Sequence, residues 1–149
     1  MNDTKTVISD ADQLVAKETE SLAMSARAAR QRYEQVRGVY EDFARSVASV
    51  LETCLEVQDL TIHSITSRAK DLDSFERKAA RPSPNEPLTP KYGDPMEEIT
   101  DKAGIRITTY FLNTVEEVSH IVETQFNVIE KSQRLTASRT GLAIRAYTS

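Results

Sequence analysis

All five prolines of this chain fall within fifteen residues, Arg81 to Pro95, and their placement decides where regular structure can form. Proline removes a backbone donor and fixes φ, so that segment is neither helix nor central strand, and it reads as an exposed loop. From Asp10 to Gln58, by contrast, there is no proline and only one glycine, Gly38. Alanine, Glu, Gln, Arg and Leu dominate there, which predicts a long helical region. Tyr33, Val36, Tyr40, Phe43, Val47, Val50, Cys54 and Val57 recur at steps of three or four and draw one apolar stripe that must pack on something. Residues 10–30 are more polar, with Leu14, Val15, Leu22 and Met24 as their large apolar side chains. A soft break between Ser25 and Gly38 is therefore expected.

After Leu60 the period changes. Thr61 to Ser67 is brief and β-branched, which suits a strand. Asp71 or Asp73 can cap a short helix through Arg81, Glu76 completing a capping-box spacing with Asp73. Beyond the proline loop, Asp94-Pro95-Met96-Glu97 restarts a brief helix that Gly104 is expected to end. Ile105 to Phe111 alternates as a strand. Thr114 with Glu117 caps a further helix on which Val115, Val118, Val122 and Phe126 face one way, and residues 126–129 begin another strand. The expected fold class is α+β: a long N-terminal helical region, 1–58, then a small mixed β-sheet with flanking helices, 59–131. Residues 132–149 hold Arg134, Arg139 and Arg145, no acid and little periodicity, and read as an irregular basic tail.

The chain's 149 residues suit one ordinary domain. A net charge of −4 argues against a general nucleic-acid or membrane binder, so any basic site must be local. The single cysteine, Cys54, makes no internal disulfide and reads as a packing residue of the helix stripe. No Cys/His cluster has zinc spacing. The acidic opening has no apolar signal region, and no later stretch approaches a membrane span, so a cytoplasmic protein is expected.

Chemistry concentrates in Ser67-Arg68-Ala69-Lys70-Asp71-Leu72-Asp73-Ser74-Phe75-Glu76-Arg77-Lys78. Arg68 and Lys70 end the predicted strand on one face, because alternate strand residues point the same way. Ser74 and Lys78, four apart on the next helix, also share a face. Fixed cations, a hydroxyl and a helix N-terminus suit a polyphosphate. The competing reading is a solvated basic edge with Asp71, Asp73 and Glu76 as its salt-bridge partners. A second element, Glu97 to Ile107, places Asp101 at a helix end and Arg106 in an otherwise apolar and Thr-rich strand. Asp101 could hold Mg²⁺, a hard cation that takes carboxylate and phosphate oxygens, or could simply pair with Lys102 or Arg106.

In order and spacing these two elements resemble the synthetase domain of the RelA/SpoT family, the enzymes that make the alarmone (p)ppGpp of the stringent response. There a strand ends in R-x-K, a serine and a lysine follow at four-residue steps, and a short helix reads D-x-x-G-x-R-I into the next strand. This chain has S-R-A-K-D-L-D-S-F-E-R-K at 67–78 and D-K-A-G-I-R-I at 101–107. The resemblance covers roughly residues 40–131 and implies a nucleotidyltransferase-like synthetase half-domain. It implies that Arg68 and Arg106 sandwich the adenine of ATP, that Lys70, Ser74 and Lys78 hold its phosphates, and that Asp101 coordinates Mg²⁺. The implied reaction is a GTP diphosphokinase reaction, moving pyrophosphate from ATP to the ribose 3′-hydroxyl of GDP or GTP. A reading from another class takes the helix from Tyr33 to Val57 as an oligomerisation seam, which would make a homo-oligomer through the N-terminal helices a further partner.

The chain also departs from that pattern. The family's G-Y-x-S-x-H motif, whose tyrosine stacks on the acceptor guanine, has no counterpart, since Gly141 and Tyr147 do not combine into it. The family's later strand glutamate, its second metal ligand, is missing too, because no carboxylate follows Glu130. No catalytic residue is identifiable on these grounds. The chain is then a piece of a longer protein, or its frame ends early with a basic tail in place of the continuation. Two alternatives follow: a degenerate, non-catalytic relative, or a toxin-type member that pyrophosphorylates adenosine nucleotides or the tRNA 3′ end. His63 and His120, the only histidines, form no HD pair, which excludes the family's metal-dependent hydrolase domain from this stretch.

Overall fold

The structure, a computed structural model, describes the backbone of residues 9–136 and 139–147 and the side chains of residues 9–132. Helix α1 (Asp10–Val57) leads to strand β1 (Ile62–Ala69), helices α2 (Leu72–Ala79) and α3 (Pro95–Glu98) and strand β2 (Ala103–Thr109). Helix α4 (Leu112–Gln125) and strands β3 (Asn127–Thr136) and β4 (Arg139–Tyr147) follow. The class is α+β, as expected. Its described strands form two two-stranded sheets, β1 with β2 and β3 with β4, in place of one mixed sheet. By packing, the chain separates into two units that interleave in sequence. One takes the chain up to Glu41 together with Ala69–Ala103, and the other takes Asp42–Arg68 together with the chain from Gly104 on.

The soft break expected between Ser25 and Gly38 is absent, because α1 runs without interruption. Counting only large apolar residues overlooked Ala26 and Ala29, which are buried together with Tyr33. A Cβ at Gly38 would meet open space, so that glycine costs helix propensity without marking a bend. The predicted stripe is also corrected in its second half. Its seven steps from Tyr33 to Val57 average less than 3.5 residues, so it drifts round a helix of 3.6 residues per turn. Phe43, Val50 and Val57 end up exposed, and Ala44, Ala48, Leu51 and Leu55 take the buried positions.

A left-handed residue terminates α1. Asp59 has φ 54°, its N–H donates to the Glu56 carbonyl (3.0 Å), and the Leu60 N–H donates to the Leu55 carbonyl (3.0 Å). This pair of bonds is the Schellman arrangement, and Leu60 and Leu55 pack in the same cluster. A non-glycine residue in this region carries a steric cost of about 1 kcal/mol. Asp59→Gly is expected to raise stability by up to about that amount in a thermal melt, and a lower melting temperature would show that the aspartate contributes a bond the cap needs.

Each unit has its own core. In the first, Ala26, Ala29 and Tyr33 of α1 meet Phe75 and Ala79 of α2 and Ile99 just beyond α3. Tyr33 and Phe75 stack with centroids 4.3 Å apart. In the second, Leu55, Val118 and Ile121 form the centre, with Cys54, Leu60, Ile62, Ile107 and Val122 packed against it. Cys54 is thus a packing residue, as expected, though only half-buried. His63 lies edge-on to Tyr110, with 5.3 Å between ring centroids.

Several expected boundaries move. Asp71, not Asp73, caps α2, accepting from the Ser74 N–H at 3.0 Å. Helix α3 is a single turn that ends at Glu98, and Gly104 lies inside β2. Its cap is Asp94, which accepts from the Met96 N–H, and Glu98 Oε1 accepts from the Asp94 N–H (2.8 Å). Helix α4 starts before Thr114, so the expected Thr114–Glu117 box does not form, and Thr114 is buried in the first turn instead. The stretch 132–149, expected to be irregular, contributes to antiparallel β3–β4, paired from Asn127↔Tyr147 to Thr136↔Arg139 with a bulge between Val128 and Glu130. Backbone pairing needs no apolar alternation, which is why composition did not reveal it. The side chains of Arg134, Arg139 and Arg145, on which the expected basic character rests, lie outside the described residues.

Candidate functional site

The site grows from the turn between β1 and α2. Strand β1 ends at buried Ala69, and Lys70 follows, its N–H donating to the Lys102 carbonyl at 2.7 Å. Asp71 then starts α2, and the bond from the Ser74 N–H holds its carboxyl below the ordinary aspartate range. Phe75 and Ala79 bury one side of α2. That choice turns Ser74, Arg77 and Lys78 to the opposite side, with Arg81 just past the helix end, at the i, i+3, i+4, i+7 spacing of one helical face.

The acids of α2 are drawn the other way. Arg30 of α1 pairs with Asp73 (3.0 Å) and Glu76 (3.1 Å). Together with the use of Asp71 as a cap, this leaves none of the three local acids opposite Lys70 or Lys78. Among the described residues the ion pairs of Lys70 and Lys78 run to Asp101 and not to these acids, although the charge of Arg77 acts on Asp71.

An open pocket of about 500 Å³ results, lined by Lys70, Ser74, Arg77, Lys78, Arg81 and Asp101. Four cations face one carboxylate. Asp101 accepts from Lys70 Nζ at 3.0 Å and from Lys78 Nζ at 2.9 Å, one lysine on each carboxylate oxygen. Burial works to raise its pKa, but the two lysine bonds and charges outweigh that and hold it below the ordinary range. The ammonium-bearing chains of Lys70 and Lys78 are only 15% and 19% exposed. Arg77 donates to Ser74 Oγ at 3.0 Å.

Asp101 thus pairs with neither Lys102 nor Arg106. Lys102 is buried, donates to the Met96 carbonyl and sits 5.4 Å from the Tyr40 ring centroid. Loss of hydration pushes its pKa below the usual lysine range, against the pull of Glu97, Asp101 and Asp94. The backbone behind the pocket is pinned from α1. Tyr33 Oη donates to the carbonyls of Lys70 (2.9 Å) and Lys102 (3.2 Å), and Arg37 Nε donates to the Lys70 carbonyl (3.2 Å).

Of the residues singled out from sequence, the structure brings Lys70, Ser74, Lys78 and Asp101 together. Arg68 and Arg106 are exposed on β1 and β2, in the other packing unit. Arg77 and Arg81 line the pocket and were not anticipated, although their spacing from Ser74 carried the signal. The bonding role of Tyr33 and Arg37 had no sequence signal at all, since a buried tyrosine reads as core.

Among the described residues no group of three or more His, Cys, Asp or Glu side chains converges. The pocket's single carboxylate already has an ammonium on each oxygen. Mg²⁺ usually keeps several waters and takes one or two carboxylates together with phosphate oxygens, so Asp101 is the pocket residue that would hold it beside a bound polyphosphate.

No helix among the described residues is long and apolar enough to cross a membrane. No curated protein and no solved structure gives a significant match. The chain does match the family model described as the region found in RelA / SpoT proteins, over residues 67–142. The match begins beside the R-x-K of β1, takes in every pocket residue, and continues into the stretch that composition had set apart as a tail. It covers just over half of the 149 residues, and on that extent the chain belongs to the RelA/SpoT family.

Proposed function

We propose that the pocket on α2 holds the polyphosphate of ATP, and that the chain is a nucleotide pyrophosphokinase of the (p)ppGpp-synthetase type. The observation that carries this reading is the convergence of Lys70, Arg77, Lys78 and Arg81 around Ser74 with one carboxylate opposite them. Such a cluster suits a multiply charged phosphate chain, because ammonium and guanidinium groups remain charged at neutral pH and bind oxygens at short range. Family membership supports pyrophosphate transfer to the 3′-hydroxyl of GDP or GTP. The reaction asks little covalent chemistry of the protein, which contributes by positioning the phosphates and neutralising their charge.

In this reading Arg68 and Arg106 stack on the adenine, and Asp101 coordinates the Mg²⁺ that accompanies ATP. The partners are ATP, GDP or GTP and, along α1, a second copy of the chain, supported by exposed Phe43, Val50 and Val57. The lone cysteine supports a reducing, cytoplasmic setting.

The test is label transfer from γ-labelled Mg-ATP to GDP, GTP, AMP or bulk tRNA, with Lys78→Ala as control. Transfer to GDP or GTP that the control loses is the expected result. Transfer to AMP or tRNA alone would make the chain a toxin-type member. Folded protein that binds ATP and transfers to nothing would make it a non-catalytic relative.

A further inference from the structure

We infer that Lys102 is a positioning residue, whose buried side chain fixes the entry to β2 and so sets where Asp101 and Lys70 stand in the pocket. This rests on the reading of the pocket as a polyphosphate site, which Lys102 itself does not line. Three observations carry it. Among the described residues Lys102 is the one charged residue that is buried, at 8% exposure. Glu97, Asp101 and Asp94 act on its ammonium only through charge, while its bond goes to the Met96 carbonyl and the Tyr40 ring centroid lies 5.4 Å away. Its own carbonyl accepts from the Lys70 N–H (2.7 Å) and from Tyr33 Oη (3.2 Å). One residue therefore joins α3, the end of β1 and α1, directly beside Asp101.

Burying an ammonium that holds no carboxylate is costly, and an apolar side chain of the same length would fill the space at lower free energy. What the ammonium adds is a bond to α3. A one-turn helix leaves its last carbonyls without internal partners, and Lys102 takes that of Met96. The chain between Met96 and Lys102 is thus closed into a short loop that carries Asp101. The Lys102 carbonyl then holds the end of that loop against Lys70. With the loop tied at both ends, the Asp101 carboxylate is set between Lys70 Nζ (3.0 Å) and Lys78 Nζ (2.9 Å). Groups that hold a binding residue in place change affinity by about tenfold or more, although they touch no ligand.

The test is amide hydrogen exchange by NMR, with calorimetric titration of Mg-ATP, on the wild-type chain, Lys102→Met, Lys78→Ala, Asp101→Asn and the Lys102→Met/Asp101→Asn pair. Methionine keeps the length of the side chain and removes the donor. Lys102→Met is expected to speed exchange of the Lys70 amide about tenfold or more, without lowering the melting temperature. The Phe75 amide, bonded to the Asp71 carbonyl, is expected to change less than about twofold. Affinity for Mg-ATP is expected to drop about tenfold in Lys102→Met, and less than about twofold when Asp101 is already Asn, because a residue that acts by position loses its effect with the group it positions. An unchanged Lys70 amide overturns the inference. An early melt in which both amides speed up together also overturns it, since that marks a purely structural residue. An equal loss of affinity in the Asp101→Asn background does the same, since that marks a lost charge acting at long range. If Lys102→Met does not fold, Lys102→Gln is measured on the same terms. Unchanged binding in Lys78→Ala removes the polyphosphate reading and the inference with it. Loss in Lys78→Ala without loss in Lys102→Met overturns the inference alone.

Discussion

Lys78→Ala is expected to weaken Mg-ATP binding by ten- to a hundredfold while moving the melting temperature very little. Bonds to a charged group contribute about 1.5–3 kcal/mol, and about 1.4 kcal/mol corresponds to tenfold in affinity. Lys78 is 19% exposed but its partner Asp101 is 44% exposed, and among the described residues Asp101 is the ion-pair partner of Lys78 and stays bonded to Lys70 when Lys78 is removed. Partly exposed pairs contribute little to folding, so affinity and stability should separate cleanly in this variant. Calorimetric titration beside a thermal melt checks both. An unchanged affinity would remove Lys78 from the phosphate set.

The second large effect concerns Tyr33, whose side chain is wholly buried. Tyr33→Ala opens a cavity beside Phe75 and is expected to cost about 3–5 kcal/mol in denaturant unfolding. Tyr33→Phe keeps the stack and loses only the hydroxyl. Because the Lys70 carbonyl retains Arg37 and the Lys102 carbonyl retains the Lys70 N–H, that loss is expected to stay near 1 kcal/mol. The pair separates packing from hydrogen bonding.

The hydroxyl also makes a pH prediction. Burial pushes its pKa from 10.0 up to about 12, the charge of Arg37 opposing. Since the folded value lies above the unfolded one, its contribution is intact below pH 10 and is lost as the pH rises towards 12. One pKa unit corresponds to about 1.4 kcal/mol, so integrating the two titrations the wild type is expected to lose about 2 kcal/mol between pH 10 and 12 on account of Tyr33. Tyr33→Phe should lose correspondingly less over the same range. Parallel alkaline curves for the two proteins would show that the phenol titrates normally.

Much of the architecture was legible because it depends on local chemistry. Proline confinement to 81–95 located the irregular connection, and the β-branched run after Leu60 located β1, since both act through the backbone of the residues concerned. The R-x-K, Ser and Lys spacing located three pocket residues, Lys70, Ser74 and Lys78, for the same reason: turn and helix geometry over a dozen residues is a short-range property. Ends and faces were less legible. The face of α1 was misjudged beyond Tyr40 because apolar size was read where position mattered, and alanine at positions 44 and 48 fills a buried face that larger side chains leave.

Two different causes hid the rest. Arg77 and Arg81 looked like ordinary surface cations until Phe75 fixed which side of α2 is buried. Tyr33 and Arg37 are separated from Lys70 by more than thirty residues, and no local pattern predicts which carbonyl a distant hydroxyl will reach.

The sequence by itself determined the class of the fold, the loop between the two motif segments, and the cationic character of the 67–78 segment, because propensity and spacing operate within a few residues. Only the tertiary structure decided what each charge faces. Asp73 and Glu76 turn to Arg30, Asp101 turns to Lys70 and Lys78, and the pocket keeps its excess of cations. Partners in an ion pair are selected by three-dimensional proximity and shared burial, which a linear order of residues does not contain.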